Sequence, residues 1–462
     1  MNRIVPIVLA VALFMENMDS TVIATSLPVI AADLGTNPIA LKLALTSYYV
    51  SLAIFIPISG RLADSWGPKL VFRLAILVFM AGSLACALAN SLEGFVAARF
   101  VQGMGGAMMT PVGRLLLVRA VPKSELVSAM AWFTIPALIG PLIGPPIGGA
   151  ISTYADWRWI FLINLPIGIA GILLATRYLP RIERVKNVHF DFPGFLLSGF
   201  ACAGIVFGFS VFSLPALPPI VGIAMAGAGL VAAGLYVAHA RRTADPVLKL
   251  SLFRIETLRA AIAGGALFRI GAGAVPFLLP LMLQLGLGYT PFQSGLISCV
   301  SIGGAMGMKL LARPILQRLG FRTTLVATAI LGGGLMAALG LYRPDSAIAV
   351  VVLLLLVGGF FRSLFFTSIN ALAFADVPRQ GTGDATALMG ALQQVSVAAG
   401  VAVAGAVLEA GMAVSGSTEA SLSDFSAAFY VVGAITAASA LVFLSMTREA
   451  GDGVAGRRLP AE

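Results

Sequence analysis

The chain has 462 residues, of which 59% are hydrophobic and only 11% charged, with a mean hydropathy of +0.97 and a formal net charge of +10. That composition excludes an ordinary soluble domain. Cys86, Cys202 and Cys299 fall singly in separate apolar stretches, and neither His189 nor His239 has a ligand partner at sequence spacing. The pattern argues against a disulfide framework, a metal centre or a nucleophilic triad.

A bilayer crossing needs roughly 20 apolar residues. Such segments recur near 4–30, 41–62, 70–89, 93–118, 126–150, 160–178 and 191–212. They continue near 217–240, 258–286, 291–312, 321–341, 346–374, 382–409 and 426–447. The prediction is an all-α polytopic membrane protein of fourteen spans. The first segment follows Arg3 as a signal peptide would, but Glu16 and Asp19 interrupt its apolar core and no small-residue cleavage site follows. It is read as a retained span. Arg99, Arg269 and Arg362 lie deep in spans, and Lys42, Arg158 and Arg343 sit in odd-numbered connections or at their edges. Nearly all the other basic residues lie at the termini or in even-numbered connections, such as Arg177, Arg181, Arg184 and Lys186. The positive-inside rule then places both termini in the cytoplasm. The positive charge is a topology signal, and the partner it implies is the bilayer, not nucleic acid.

In span one, Glu16 and Asp19 are three residues apart and share a helix face. A carboxylate in the low-dielectric middle of a bundle is costly when charged, so it can take up a proton near neutral pH, as a proton carrier must. Arg99 in span four lies at matching depth and is the expected partner of Asp19. In span five, Gly140, Gly144 and Gly148 stand at i, i+4 and i+8 among Pro141, Pro145 and Pro146. Small residues at that spacing form a groove for close helix approach, and the prolines bend the helix at the same place. Such a helix suits a moving seam between two bundles. GRLADSWGPKL (60–70) and RPILQRLGFRT (313–323) form a weak repeat, with Gly67 matching Gly320, Lys69 matching Arg322, and Asp64 meeting Gln317. Repeated halves are a recurrent transporter plan. The implied division is 1–190, a six-helix bundle; 191–245, two inserted helices; and 246–462, a second six-helix bundle with a short tail.

Arg269 and Arg362 are mid-membrane with no acid within one turn, so each should face a cavity, an acid on another helix or an anionic substrate. Aromatic and amide side chains suited to an adaptable pocket include Tyr48, Trp132, Phe268, Phe277, Gln284, Asn370 and Gln393. Span nine is the favoured binding helix, because Gly271, Gly273, Pro276 and Pro280 break it beside Phe277. Asp384 reads as an exposed helix cap, and Glu409 as solvated near the outer end of span thirteen.

Several of these stretches resemble the fourteen-span drug:proton antiporters of the major facilitator superfamily, and within them the MdtD-like bacterial branch. The resemblance covers essentially the whole chain. It rests on MDSTVIATSLP (18–28), GRLADSWGPK (60–69), AARFVQGMGGA (97–107), GPLIGPPIGG (140–149) and WRWIFLINLPIG (157–168). It implies two six-helix bundles with two inserted helices, and export of amphipathic organic compounds against protons by alternating access. It carries the span-one acid onto Asp19 and the span-four arginine onto Arg99, while Glu16 lies outside the motif. The conformational motifs fall on Gly60, Asp64, Gly67 and Lys69, and on Gly140, Gly144, Pro145, Gly148 and Gly149. Ser65 and Pro68 depart from the loop motif, which usually has basic residues there. The resemblance further implies a bacterial plasma-membrane protein acting as a monomer, with protons and no other cofactor. The alternatives are a lipid or metabolite exporter on the same scaffold, and a membrane sensor without transport.

Overall fold

A computed structural model describes residues 4–122, 125–184, 190–212, 217–309, 311–378, 381–447 and 450. Among them there is no strand. The first span is α1 (Ile4–Val22), a 3-10 turn (Ile23–Ser26) and α2 (Leu27–Asp33). The tightening precedes Pro28, which has no N–H for the ladder. Then come α3 (Lys42–Trp66), α4 (Pro68–Leu88), α5 (Leu92–Ala120) and α6 (Leu126–Tyr154). The sixth span is split at Ile163 into α7 (Trp159–Leu162) and α8 (Asn164–Tyr178), just ahead of Pro166. Next are α9 (Phe192–Phe212), α10 (Pro219–Ala240), α11 (Glu256–Leu281) and α12 (Pro291–Met308). The last four are α13 (Ala312–Leu339), α14 (Ile348–Ala373), α15 (Thr382–Ser415) and α16 (Leu422–Leu444).

Twelve of the described helical segments are long and apolar enough to cross a membrane by length and composition. The two other expected spans, α5 and α12, form helices but fall short of that measure. Arg99, Gln102 and a run of glycines dilute α5, and Gln293, three serines and four glycines dilute α12.

The chain divides into two compact units. The first comprises Met1–Gly208, Ile223–Val247 and Thr290–Leu296; the second comprises Phe209–Gly222, Leu248–Tyr289 and Ile297–Glu462. In the first, α1 packs on α6, and α5 packs on both α3 and α4. Its apolar core gathers Phe72, Phe79, Met109, Leu116 and Phe133. In the second, α11 packs on α15 and α16, and α13 packs on α14 and α16. There Phe268 stacks on Phe365 at 3.6 Å between ring centroids.

The weak repeat has a structural counterpart. Gly67 (φ 91°) and Gly320 (φ 73°) both adopt the left-handed region that glycine enters without a Cβ penalty. Two residues on, Lys69 donates to the carbonyls of Thr176 and Leu179 at 2.9 and 2.6 Å, and Arg322 donates to that of Leu444 at 2.7 Å. Each cation thus satisfies carbonyls at the C-terminal end of a helix, α8 in one unit and α16 in the other.

Helices α9 and α10 touch backbone to backbone, Gly204 against Gly229 and Gly208 against Ala226. Their basal ends are tied by Asp191, which is 3% exposed. One carboxylate oxygen accepts from the Gly194 N–H (3.0 Å) and meets His239 Nε2 (2.7 Å); the other accepts from the Val247 N–H (3.2 Å). Sequence spacing gave His239 no acidic partner, since this one lies 48 residues away. Burial pushes the Asp191 carboxyl up, but the Gly194 N–H, His239 and the Val247 N–H together hold it below the usual carboxylate range. An acid held low stabilises the fold at pH values above its ordinary value and loses that contribution as pH falls through the depressed one. The expected result is that Asp191→Asn lowers the thermal unfolding temperature at about pH 7, and that the gap closes below about pH 4. A gap unchanged down to pH 3 would show that the ionised carboxylate is not what ties these helices.

Candidate functional site

The polar centre of the first unit is built on α1. Asp19 is fully buried, and Arg99 on α5 is 1% exposed. Arg99 Nη1 donates to Asp19 Oδ2 at 2.7 Å and to Gln102 Oε1 at 2.5 Å. Gln102 Nε2 and Asn164 Nδ2 each donate to Asp19 Oδ1 at 2.8 Å. The same two amides donate to Ser83 Oγ, at 2.8 and 2.9 Å. Four helices, α1, α4, α5 and α8, therefore converge on one carboxylate with three donors. The expected pairing of Asp19 with Arg99 is present. The shell around it was not anticipated: Gln102 lies one turn beyond Arg99, Asn164 is the polar residue inside INLP, and Ser83 interrupts an apolar run. A polar side chain isolated in a span was the available signal.

Glu16, one turn before Asp19, accepts from Thr110 Oγ1 at 2.7 Å. Tyr48 lies under the Arg99 guanidinium, 4.3 Å from its ring centroid, and its buried hydroxyl has no hydrogen-bond partner. Arg99 Nε and Asn164 Oδ1 are likewise buried and unsatisfied. A network with spare donors and acceptors can exchange partners, which a fully satisfied one resists.

The adjoining face of α1 lies in the glycine groove of α6. A Cβ at Gly140 would stand 2.9 Å from the Met18 nitrogen, Gly144 abuts Thr21 Oγ1, and Gly148 abuts the Val22 carbonyl. Thr25 donates to the Pro145 carbonyl at 3.3 Å and Ser26 to that of Gly148 at 3.4 Å. The segment seated in this groove is thus the first span of the same unit, α1 with its 3-10 turn, which brings Met18, Thr21, Val22, Thr25 and Ser26 against the α6 backbone. Gly149 meets Pro291 instead, also within the first unit.

In the loop motif, Asp64 pairs with Arg119 at 2.8 Å, and Gly60 has open space around it. In the second unit Arg269 is 6% exposed and lines a cavity with Gln393. Arg362 donates to Ser301 Oγ at 3.3 Å. The other candidates are not gathered there. Phe277 is fully buried in α11 and Phe268 is taken up in the aromatic stack. Trp132 and Gln284 are half-buried on their own helices, and Asn370 is exposed. Asp384 pairs with Lys249 at 2.9 Å, and Glu409 is 6% exposed, which replaces the solvated reading of that residue.

The model of the Major Facilitator Superfamily matches residues 9–401 and 261–459. A protein of Salmonella heidelberg named "Putative multidrug resistance protein MdtD" is 37% identical over 404 residues, covering 87% of this chain and 85% of that protein. Its namesake from Yersinia enterocolitica is 36% identical, covering 98% and 96%. Among solved structures, a D-xylose-proton symporter superposes with a TM-score of 0.69 at 14% identity, covering 97% of this chain and 98% of that one. A nucleoside transporter, NupG, superposes at 0.67 and 13% identity, covering 96% and 99%.

Removing one member of a buried pair leaves an uncompensated charge and costs roughly 3–5 kcal/mol. Arg99→Ala should therefore lower the unfolding temperature in detergent sharply, and Asp19→Asn in the same chain should recover most of the loss. No recovery in the double variant would mean that the two groups are energetically independent. Packing gives a second outcome. Gly148→Ala drives a methyl into the Val22 carbonyl and should cost about 1–3 kcal/mol, whereas Gly60→Ala, in open space, should be neutral or slightly stabilising. Equal unfolding temperatures for the two variants would show that α1 does not rest in the α6 groove.

Proposed function

Because the chain belongs to the major facilitator superfamily, a family of transporters and not enzymes, we propose that it is a proton-coupled antiporter exporting amphipathic organic compounds by alternating access. The observation that carries this reading is the fully buried Asp19 held by a cation and two amides. With the proton absent, Asp19 is bound to Arg99, Gln102 and Asn164. With a proton on Asp19, the attraction to Arg99 is lost and one carboxyl oxygen becomes a donor. Arg99 then turns to its remaining acceptor, Gln102, and to the ring of Tyr48. Glu16, one turn away on α1 and bound to Thr110, offers a second resting place for the proton.

Helix α1 carries this chemistry on one face and lies in the α6 groove with the adjoining one. Met18, Thr21 and Val22, which meet the α6 glycines, are within one turn of Asp19. A change in what Asp19 binds is therefore transmitted to a contact whose small residues let one backbone slide along another. Gly140, Gly144, Pro145, Gly148 and Gly149 serve that movement in this reading. The pair Asp64–Arg119 and the capping cation Lys69, with Gly60 and Gly67, serve it at the helix ends. Tyr48, Trp132, Arg269, Phe277, Gln284, Arg362, Asn370 and Gln393 are the proposed substrate contacts.

The architecture in this proposal is fourteen crossings, with bundles at 1–190 and 246–462, inserted helices at 191–245 and both termini in the cytoplasm of a bacterial plasma membrane. The charge distribution over the connections supports it. The relatives named for multidrug resistance support export as the direction of transport.

The decisive test replaces the carrier and keeps its shape. Asp19→Asn, reconstituted in proteoliposomes under an imposed pH gradient, should reduce efflux of a fluorescent amphipathic cation to the level of empty liposomes. The variant should still bind that compound. Undiminished gradient-driven efflux would remove Asp19 from the coupling step.

A further inference from the structure

Arg269 is a buried cation that the coupling chemistry does not use. It sits midway along α11, 6% exposed, and among the described residues it meets no carboxylate. Its described aromatic neighbour is Phe366, whose ring centroid lies 5.2 Å from the guanidinium carbon. An uncompensated charge inside an apolar bundle is costly, and an intramembrane ionisable residue is by default a functional one. Compensation from outside the chain would account for it.

The surroundings are shaped for that purpose. Gly265, four residues earlier, leaves the space that the guanidinium occupies, since a Cβ there would stand 2.6 Å from Arg269 Nη1. The side chain therefore folds back along its own helix, as long helical side chains do. Beyond Arg269, α11 and α15 are clamped backbone to backbone. A Cβ at Gly273 would lie 2.9 Å from the Val397 backbone, and Gly400 abuts the Ile270 carbonyl. Away from the clamp a small, partly open cavity separates the two helices, lined by Arg269, Gln393 and Ser396 and by the apolar Ile262, Met389 and Leu392. Ser396 donates to the Leu392 carbonyl at 2.7 Å, while Gln393 makes no hydrogen bond among the described residues. The donors left facing the cavity are a planar guanidinium and an amide.

We propose that this cavity is a subsite for the carboxylate of an organic acid with an apolar body. It names a substrate class and rests on the transport reading above. A single guanidinium fork matches a planar monoanion. A dianionic phosphate would bring a second charge for which the lining holds no cation. The apolar remainder of the lining accepts the hydrocarbon part.

Calorimetry on the purified full-length protein in neutral detergent tests this, with 2-naphthoate as probe and 2-naphthamide as its uncharged match. Wild type should bind the acid roughly tenfold or more tighter than the amide, the size of one charge-assisted contact. R269Q should bring the two ligands to within about twofold of each other. G265A keeps the charge but displaces the guanidinium, so it should weaken the acid and spare the amide, and it stands in if R269Q fails to fold. Asp19→Asn should leave the preference intact, so loss of coupling and loss of this subsite are separable. Equal affinities in wild type, or an undiminished preference in folded R269Q, would overturn the proposal. So would displacement of the acid by chloride, which would mark a simple anion pocket. Tighter binding of dihexanoyl phosphatidylglycerol than of naphthoate would overturn it in favour of a lipid headgroup.

Discussion

One carboxylate that cannot reach water organises the first unit. Asp19 is fully buried, so its charge must be met by protein, and the donors that meet it come from α5 and α8, with Ser83 of α4 completing the shell. Burying an unpaired charge costs several kcal/mol, more than any single apolar contact returns. The helices are therefore not free to choose their rotation about their axes. Arg99, Gln102, Asn164 and Ser83 must face inward together, and the apolar packing is arranged around that demand.

The second constraint is distance. In a membrane, helices gain little from burying apolar surface against each other and associate through close van der Waals packing. Glycines make the necessary approach on α6, where Gly140, Gly144 and Gly148 receive α1. The same device joins α9 to α10 and α11 to α15. In the first unit the close approach lies beside the ionisable pair. In the second it ends where Arg269 begins, so that contact and cavity alternate along one helix pair. Hydroxyl side chains such as Thr25 and Ser26 reinforce the first of these contacts by donating to carbonyls of a proline-bearing helix. That combination holds α1 in place while leaving it few interlocking side chains to unlock.

Much of this was legible from residue order. The helical segments fall where the apolar runs predict them, because a chain in lipid must satisfy its backbone within each span. The breaks before Pro28 and Pro166 follow from missing N–H donors. The pairing of Asp19 with Arg99 could be read from depth alone. The alignment of Gly67 with Gly320 was a weak signal in residue identity, yet both adopt the same left-handed backbone, and both are followed by a cation that caps a distant helix. There the repeat survives at the left-handed glycine and the capping cation and is lost at Asp64 and Gln317.

By itself, the sequence determined which segments are helices, where they bend, which charges lie deep and which glycines allow close approach. Hydropathy, proline and glycine act within a turn or two of the chain, so their consequences can be read locally. Only the tertiary structure decided which groups meet. Asn164 reaches Asp19 across 145 positions, and His239 reaches Asp191 across 48. The glycine groove of α6 takes α1, Glu409 is buried where solvent was expected, and Arg269 has no acid beside it among the described residues. Each of these depends on the rotation and neighbour of a whole helix, which is set by summing contacts along its length and is encoded in no single stretch of residues.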